Sequence, residues 1–136
     1  QKNFIKARLG PLDAGGTMAE LAEIMIGAMM PEGVDPTRRA FAHCCMAKIP
    51  EQAYRAAVEC IVTFEQRENL SRLYVPTMVL SGQYDKIATA DMMKKMASKI
   101  LNCQFSFIQK AGHLSYIEDP GGFNSALENF LLTVRV

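Results

Sequence analysis

The sequence predicts an α/β fold, with helices in the first half and two parallel strands joined through a helix in the second. Three observations lead there. A short apolar run, Val75-Pro76-Thr77-Met78-Val79-Leu80, empties through Ser81-Gly82 into a loop carrying Asp85. A second run, Phe105-Ser106-Phe107-Ile108, ends in Lys110-Ala111-Gly112-His113. Between them, Ala90 to Leu101 reads as a helix. In parallel α/β sheets the loops at the carboxyl ends of the strands carry the chemistry, so Asp85 and His113 are expected on one edge of the sheet. An Asp that orients a His makes two of the three members of a nucleophilic triad.

Taken in order, residues Gln1 to Gly16 show no clear structural punctuation until Pro11 and the pair Gly15-Gly16. Thr17 with Glu20 has the spacing of a capping box, which predicts a helix from there. Leu21, Ile24, Met25, Ala28 and Met29 recur at three- and four-residue intervals, as on an amphipathic helix, and Pro31 and Gly33 stop it. Asp35-Pro36 restarts a helix, since Asp caps the first turn and proline has no N–H to leave unsatisfied there. That helix reaches about Ala47. A third begins at Pro50-Glu51, with Tyr54, Ala57, Val58, Ile61 and Val62 on one side. Glu65 to Arg72 is polar and reads as a connector.

In the second half, Gly82 allows a tight exit from the first strand. The helix from about Thr89 to Leu101 is expected to bury Met92, Met93, Met96 and Ile100. Asp119-Pro120 repeats the cap-plus-proline start, and Phe123, Leu127, Phe130 and Leu131 mark a final amphipathic helix. Two parallel strands do not make a stable sheet alone, because such strands are normally covered on both faces. The first strand would keep an apolar edge open, so the chain is expected to have a neighbour.

Composition narrows the functional classes. The 136 residues suffice for one domain with a core, and 49% hydrophobic with 21% charged residues marks a globular chain. A net charge of +1, with basic residues scattered among acids, gives no basic stripe for nucleic acid. No apolar run approaches the ~18 residues that span a bilayer, and the N-terminus lacks a signal-peptide core. Cys44, Cys45, Cys60 and Cys103 form no C-x-x-C pair, and the expectation is free, buried thiols in a reducing, cytoplasmic setting. His43 beside Cys44 and Cys45 does not make a metal site, because consecutive residues on a helix point about 100° apart. Glu118 and Asp119 suggest a carboxylate pair, but a helix-start role is simpler.

Val75-Pro76-Thr77, Gly82, Asp85, Ala111-Gly112-His113, and Glu118-Asp119-Pro120 with Phe123 and Leu127 occur in one order and spacing. Through them, residues Leu73 to Leu131 resemble the C-terminal part of an α/β-hydrolase. The helices from Thr17 to Phe64 look like the cap that this family places over its active site, in a style similar to 3-oxoadipate enol-lactonases and related ester hydrolases. The resemblance implies a helical cap over residues 1–72. It implies the strand–helix–strand–helix part of the core over residues 73–136, two parallel strands with flanking helices, with the N-terminal half of the core absent.

The same resemblance implies hydrolysis of a carboxylic ester or lactone by a Ser-His-Asp mechanism, with Asp85 as the orienting acid and His113 as the general base. Leu114 is the candidate wall of the substrate pocket. No metal or organic cofactor is implied. The family's nucleophile elbow, G-x-S-x-G, does not occur here. Ser81 lies inside the strand leading to the acid, so it is not the elbow. Ala88 stands where relatives often carry proline. The expected partners are therefore a small ester or lactone, and either the missing N-terminal half or a second copy of the chain. A different class of function stays open, a non-catalytic module that self-associates as a dimer through the edge of the first strand.

Overall fold

The computed structural model describes residues 2–134. Gln1, Arg135 and Val136, the outer ends of the two expected regions, lie outside the described residues. Four α-helices come first: α1 (Lys2–Asp13), α2 (Met18–Met29), α3 (Pro36–Ala47) and α4 (Glu51–Thr63). A 3-10 helix over Arg67–Arg72 leads to β1 (Thr77–Gly82), α5 (Ala90–Ala97), β2 (Cys103–Ile108), α6 (Ser115–Glu118) and α7 (Pro120–Thr133).

The helix starts follow their caps. The Thr17 side chain accepts from the Glu20 amide while Glu20 reaches back to the Thr17 amide at 2.7 Å, a complete capping box. Asp35 accepts from the amides of Thr37 and Arg38, with Pro36 in the first turn. Two stretches depart from the sequence reading. The segment before Pro11 is helix α1, with Leu9 and Leu12 buried. Arg8 stacks over Phe4 within it, and Asp13 at its end pairs with Arg55 of α4 at 2.7 Å. The polar connector from Glu65 to Arg72 does join the helical half to β1, and it carries the 3-10 helix, an element that its composition does not announce.

The apolar residues form two cores. One joins Leu12, α2 (Leu21, Ala22, Met25, Ile26) and α3 (Ala42, Met46), with Met30. The other joins Val79 of β1 to Ala97, the last residue of α5, and to Ile100 in the turn beyond it, because the helix expected to reach Leu101 stops at Ala97. Leu21 is fully enclosed, a burial that stabilises by about 1.5–3 kcal/mol relative to exposure. Met92 is not buried as expected but 60% exposed. On α5 the inward stripe is Met93, Met96 and Ala97, about one turn apart, and Met92 falls beside it. The cysteines are free as expected. Cys44, Cys45 and Cys60 are exposed rather than buried: on α3, Ala42 and Met46, on successive turns, take the contact with α2, and on α4 the buried residue is Val58.

Among the described residues the sheet has two strands, β1 and β2, paired in parallel from Thr77–Cys103 to Gly82–Ile108. Helix α5 packs on both strands and α7 on β2. Among the described residues β1 pairs only with β2, so the outer edge of the first strand is open, and Tyr74 and Val75 just before it are largely exposed. No helix among the described residues is long and apolar enough to cross a membrane.

Candidate active site

The aligned ends of β1 and β2 set the geometry. Gly82 and Ile108 are register partners, so the loops that follow leave the sheet side by side. Beyond the last ladder pair, the Gln83 amide donates to the Ile108 carbonyl at 2.9 Å and the Tyr84 amide to the Ala111 carbonyl at 2.7 Å. Lys110 takes a left-handed φ of 58°, and its amide donates to the Gln83 side chain. Gly82 is required by close approach, since a Cβ there would lie 1.9 Å from the Gly112 carbonyl oxygen. The two loops are thus laced together before either presents a side chain.

Asp85 and His113 meet, with Nδ1 2.8 Å from Oδ2. The Asp85 side chain is only 5% exposed, and its other oxygen accepts from the amides of Ile87 and Ala88 at 2.8 and 2.9 Å. When the carboxylate is ionised it only accepts, so this contact then requires the proton on Nδ1 and leaves the lone pair on Nε2. Nε2 makes no hydrogen bond among the described residues, and the His113 side chain is 31% exposed. The arrangement encloses the Asp85 carboxylate and leaves Nε2 of His113 open to an approaching group.

The remaining residues singled out in the sequence fall as follows. Ser81 is buried inside β1, its hydroxyl directed at the carbonyls of Gly82 and Ala88. Leu114 is half-buried and packs against the helical core. A shallow depression of about 920 Å³ is lined by Pro31, Glu32, Tyr84, Asp85, Lys86 and Asp91 among others, and by neither His113 nor Leu114. His43 bonds the Ala19 carbonyl of α2 through Nε2. Among the described residues no group of three or more His, Cys, Asp and Glu side chains could hold a metal ion.

The helix-start role that the sequence suggests for Glu118 and Asp119 holds for only one of them. Asp119 does cap α7, accepting from the Gly122 amide, but Glu118 is not a helix-start residue. It is buried and accepts from the amides of Gly112 at 2.6 Å and Leu114 at 2.9 Å, on either side of His113. The signal available was an acid five residues past the histidine, a spacing that fits folding back as well as capping.

Comparison with known proteins adds relatives to this geometry. Residues 45–120 match the model of the alpha/beta hydrolase fold. The chain is 30% identical over 90 residues to 3-oxoadipate enol-lactonase 1 of Acinetobacter baylyi, a match covering 66% of this chain and 34% of that protein. A thermophilic esterase from Thermogutta terrifontis superposes with a TM-score of 0.85 at 27% identity, over 99% of this chain and 50% of that one. An enol-lactonase from Burkholderia xenovorans shares the fold at 23% identity, TM-score 0.81, over 95% of this chain and 48% of that one. The chain thus spans about a third of the curated relative and about half of the solved structures.

Proposed function

The chain belongs to the alpha/beta hydrolase fold family, and from that premise we propose that Asp85 and His113 are the acid and base of a Ser-His-Asp hydrolase of carboxylic esters or lactones. The observation that carries the proposal is the 2.8 Å pair itself, with a buried acid and an open Nε2. The names of the enol-lactonase and the esterase it resembles support the substrate class. No G-x-S-x-G occurs in the 136 residues, so the nucleophile comes from outside them, on the half of the fold that the match to the solved structures leaves uncovered. Residues 1–72 serve as the cap.

In this mechanism Nε2 of His113 takes the serine proton as the hydroxyl attacks the carbonyl, and Asp85 stabilises the resulting imidazolium. The tetrahedral intermediate collapses as His113 returns that proton to the leaving alkoxide, which gives an acyl-enzyme. Water, deprotonated by the same Nε2, then attacks the acyl carbonyl, and collapse breaks the bond to the serine oxygen, which takes the proton back from Nε2 as the free acid leaves. No metal or organic cofactor enters these steps.

A chimera that joins this chain to the half of the Thermogutta esterase that it does not match tests the reading. Hydrolysis of a short-chain aryl ester should appear in the chimera, fall to background in His113→Ala, and drop by about 10⁴-fold in kcat in Asp85→Asn. The 136-residue chain alone should hydrolyse no faster than its own His113→Ala variant. Turnover by the chimera that survives His113→Ala would overturn the proposal.

A second reading draws on the open edge beside β1, where Tyr74 and Val75 are 69% and 64% exposed. That edge suits either the elbow-bearing half or a second copy of the chain, since an unpaired apolar strand seeks a partner. A stable homodimer in light scattering, together with an inactive chimera, would favour a non-catalytic, self-associating module.

A further inference from the structure

We infer that Glu118 is a positioning residue for His113, one arm of a bracket whose other arm is the carbonyl of Met29 on the helical cap. The inference rests on the Asp85–His113 reading above. Three consecutive amides define the bracket. Those of Gly112 and Leu114 donate to the two oxygens of Glu118 at 2.6 and 2.9 Å. The amide of His113 between them donates to Met29 O at 2.9 Å. The backbone on each side of the imidazole is therefore fixed, and the side chain has only its own rotation left for Asp85 to set.

The chemistry of Glu118 suits this task better than general stabilisation. A carboxylate is seldom buried, because it gives up strong hydration, and only charge-assisted bonds of good geometry offset that loss. Both its oxygens are committed to the His113 segment. Its own main chain is tied to the cap, since Arg38 of α3 donates to the Glu118 carbonyl. Gly112 completes the fit. A Cβ there would lie 2.5 Å from Met29 O, 2.7 Å from Pro31 Cδ and 3.3 Å from Glu118 Oε1, so the bracket closes only on a glycine. Displacement of the cap end at Met29–Pro31 would release the middle amide, which makes the cap and the base one mechanical unit.

The test uses the 136-residue chain, labelled with ¹⁵N, and needs no nucleophile. The Nδ1 proton of His113 should appear as a low-field resonance, assigned by its disappearance in Asp85→Asn. In Glu118→Ala this proton should exchange with water at least tenfold faster, with the amides of β1 and β2 still protected. Glu118→Gln keeps one acceptor oxygen and should fall between the two. It decides the question if the alanine variant loses protection throughout. An unchanged imidazole proton beside faster exchange of the 112 and 114 amides would overturn the inference, leaving Glu118 as a support of the turn alone. A wild-type chain without any Asp85-dependent resonance would instead remove the Asp85–His113 pairing, a separate failure.

Discussion

Replacing Gly82 with alanine strikes the point where the two loops are laced. The new methyl carbon would sit 1.9 Å from the Gly112 carbonyl oxygen and 2.6 Å from that of Ala111, both main-chain atoms. Reaching an ordinary contact of 3.4 Å means separating the strand ends by about 1.5 Å, which takes the Tyr84–Ala111 bond past 4 Å and out of hydrogen-bond range. Overpacking a buried site costs about 1–3 kcal/mol, and the bonds of Tyr84 and Gln83 add about 0.5–1.5 kcal/mol each. The sum is about 2–6 kcal/mol, a large part of the ~5–15 kcal/mol typical of a domain. With a urea m-value of about 1.5 kcal/mol/M, the midpoint of unfolding should fall by at least about 1 M. In the active chimera kcat should drop by about 10² or more, since a misplacement of ~1 Å costs that much. A Gly82→Ala midpoint within about 0.2 M of wild type would refute the claim that these loops are closed to a side chain.

Two further perturbations report on the helical half. Leu21 is fully buried and Ile24, one turn along the same helix, is 56% exposed, so Leu21→Ala should cost about 2–5 kcal/mol and Ile24→Ala less than about 1 kcal/mol, read from urea midpoints. The carboxyls of Glu20 and Asp35 are held below their ordinary range, first by the Thr17 amide for Glu20 and by the Arg38 amide for Asp35. A folded-state value below the unfolded one gives stability that is present above the unfolded value and lost as pH falls through the folded one. Thermal melts should therefore lose stability below about pH 4, where free carboxyls take up protons. A Glu20→Gln, Asp35→Asn variant should show a shallower acid limb, and an unchanged limb would contradict the cap assignment.

Features whose cause is local were legible in the sequence. Thr17 with Glu20 and Asp35 with Pro36 start helices where their spacing says they should, because a cap satisfies its own first-turn amides. The strand ends at Gly82 and Ile108 come into register, and with them Asp85 and His113, because two parallel strands joined by one helix leave few alternatives. Periodicity was less informative about which faces find cover. Ile24, Ile61 and Met92 lie on or beside apolar stripes and remain exposed, since a stripe records a preference and not the neighbour that meets it. The first helix was hidden by Pro11, which sits inside it and normally marks a break. Glu118 was hidden for a tertiary reason. Next to Asp119-Pro120 it has the local look of a helix start, and only the folded path of residues 112–114 turns its carboxylate back toward His113.

In the proposed mechanism Asp85 fixes His113 with Nδ1 protonated and Nε2 free to accept a proton. The direct measurement is the ¹⁵N spectrum of the His113 ring in the 136-residue chain at a pH where the imidazole is neutral. The wild type should show a protonated Nδ1 and an unprotonated Nε2, and Asp85→Asn should lose that fixed tautomer. A ring that averages over both tautomers in the wild type, or carries its proton on Nε2, would contradict it.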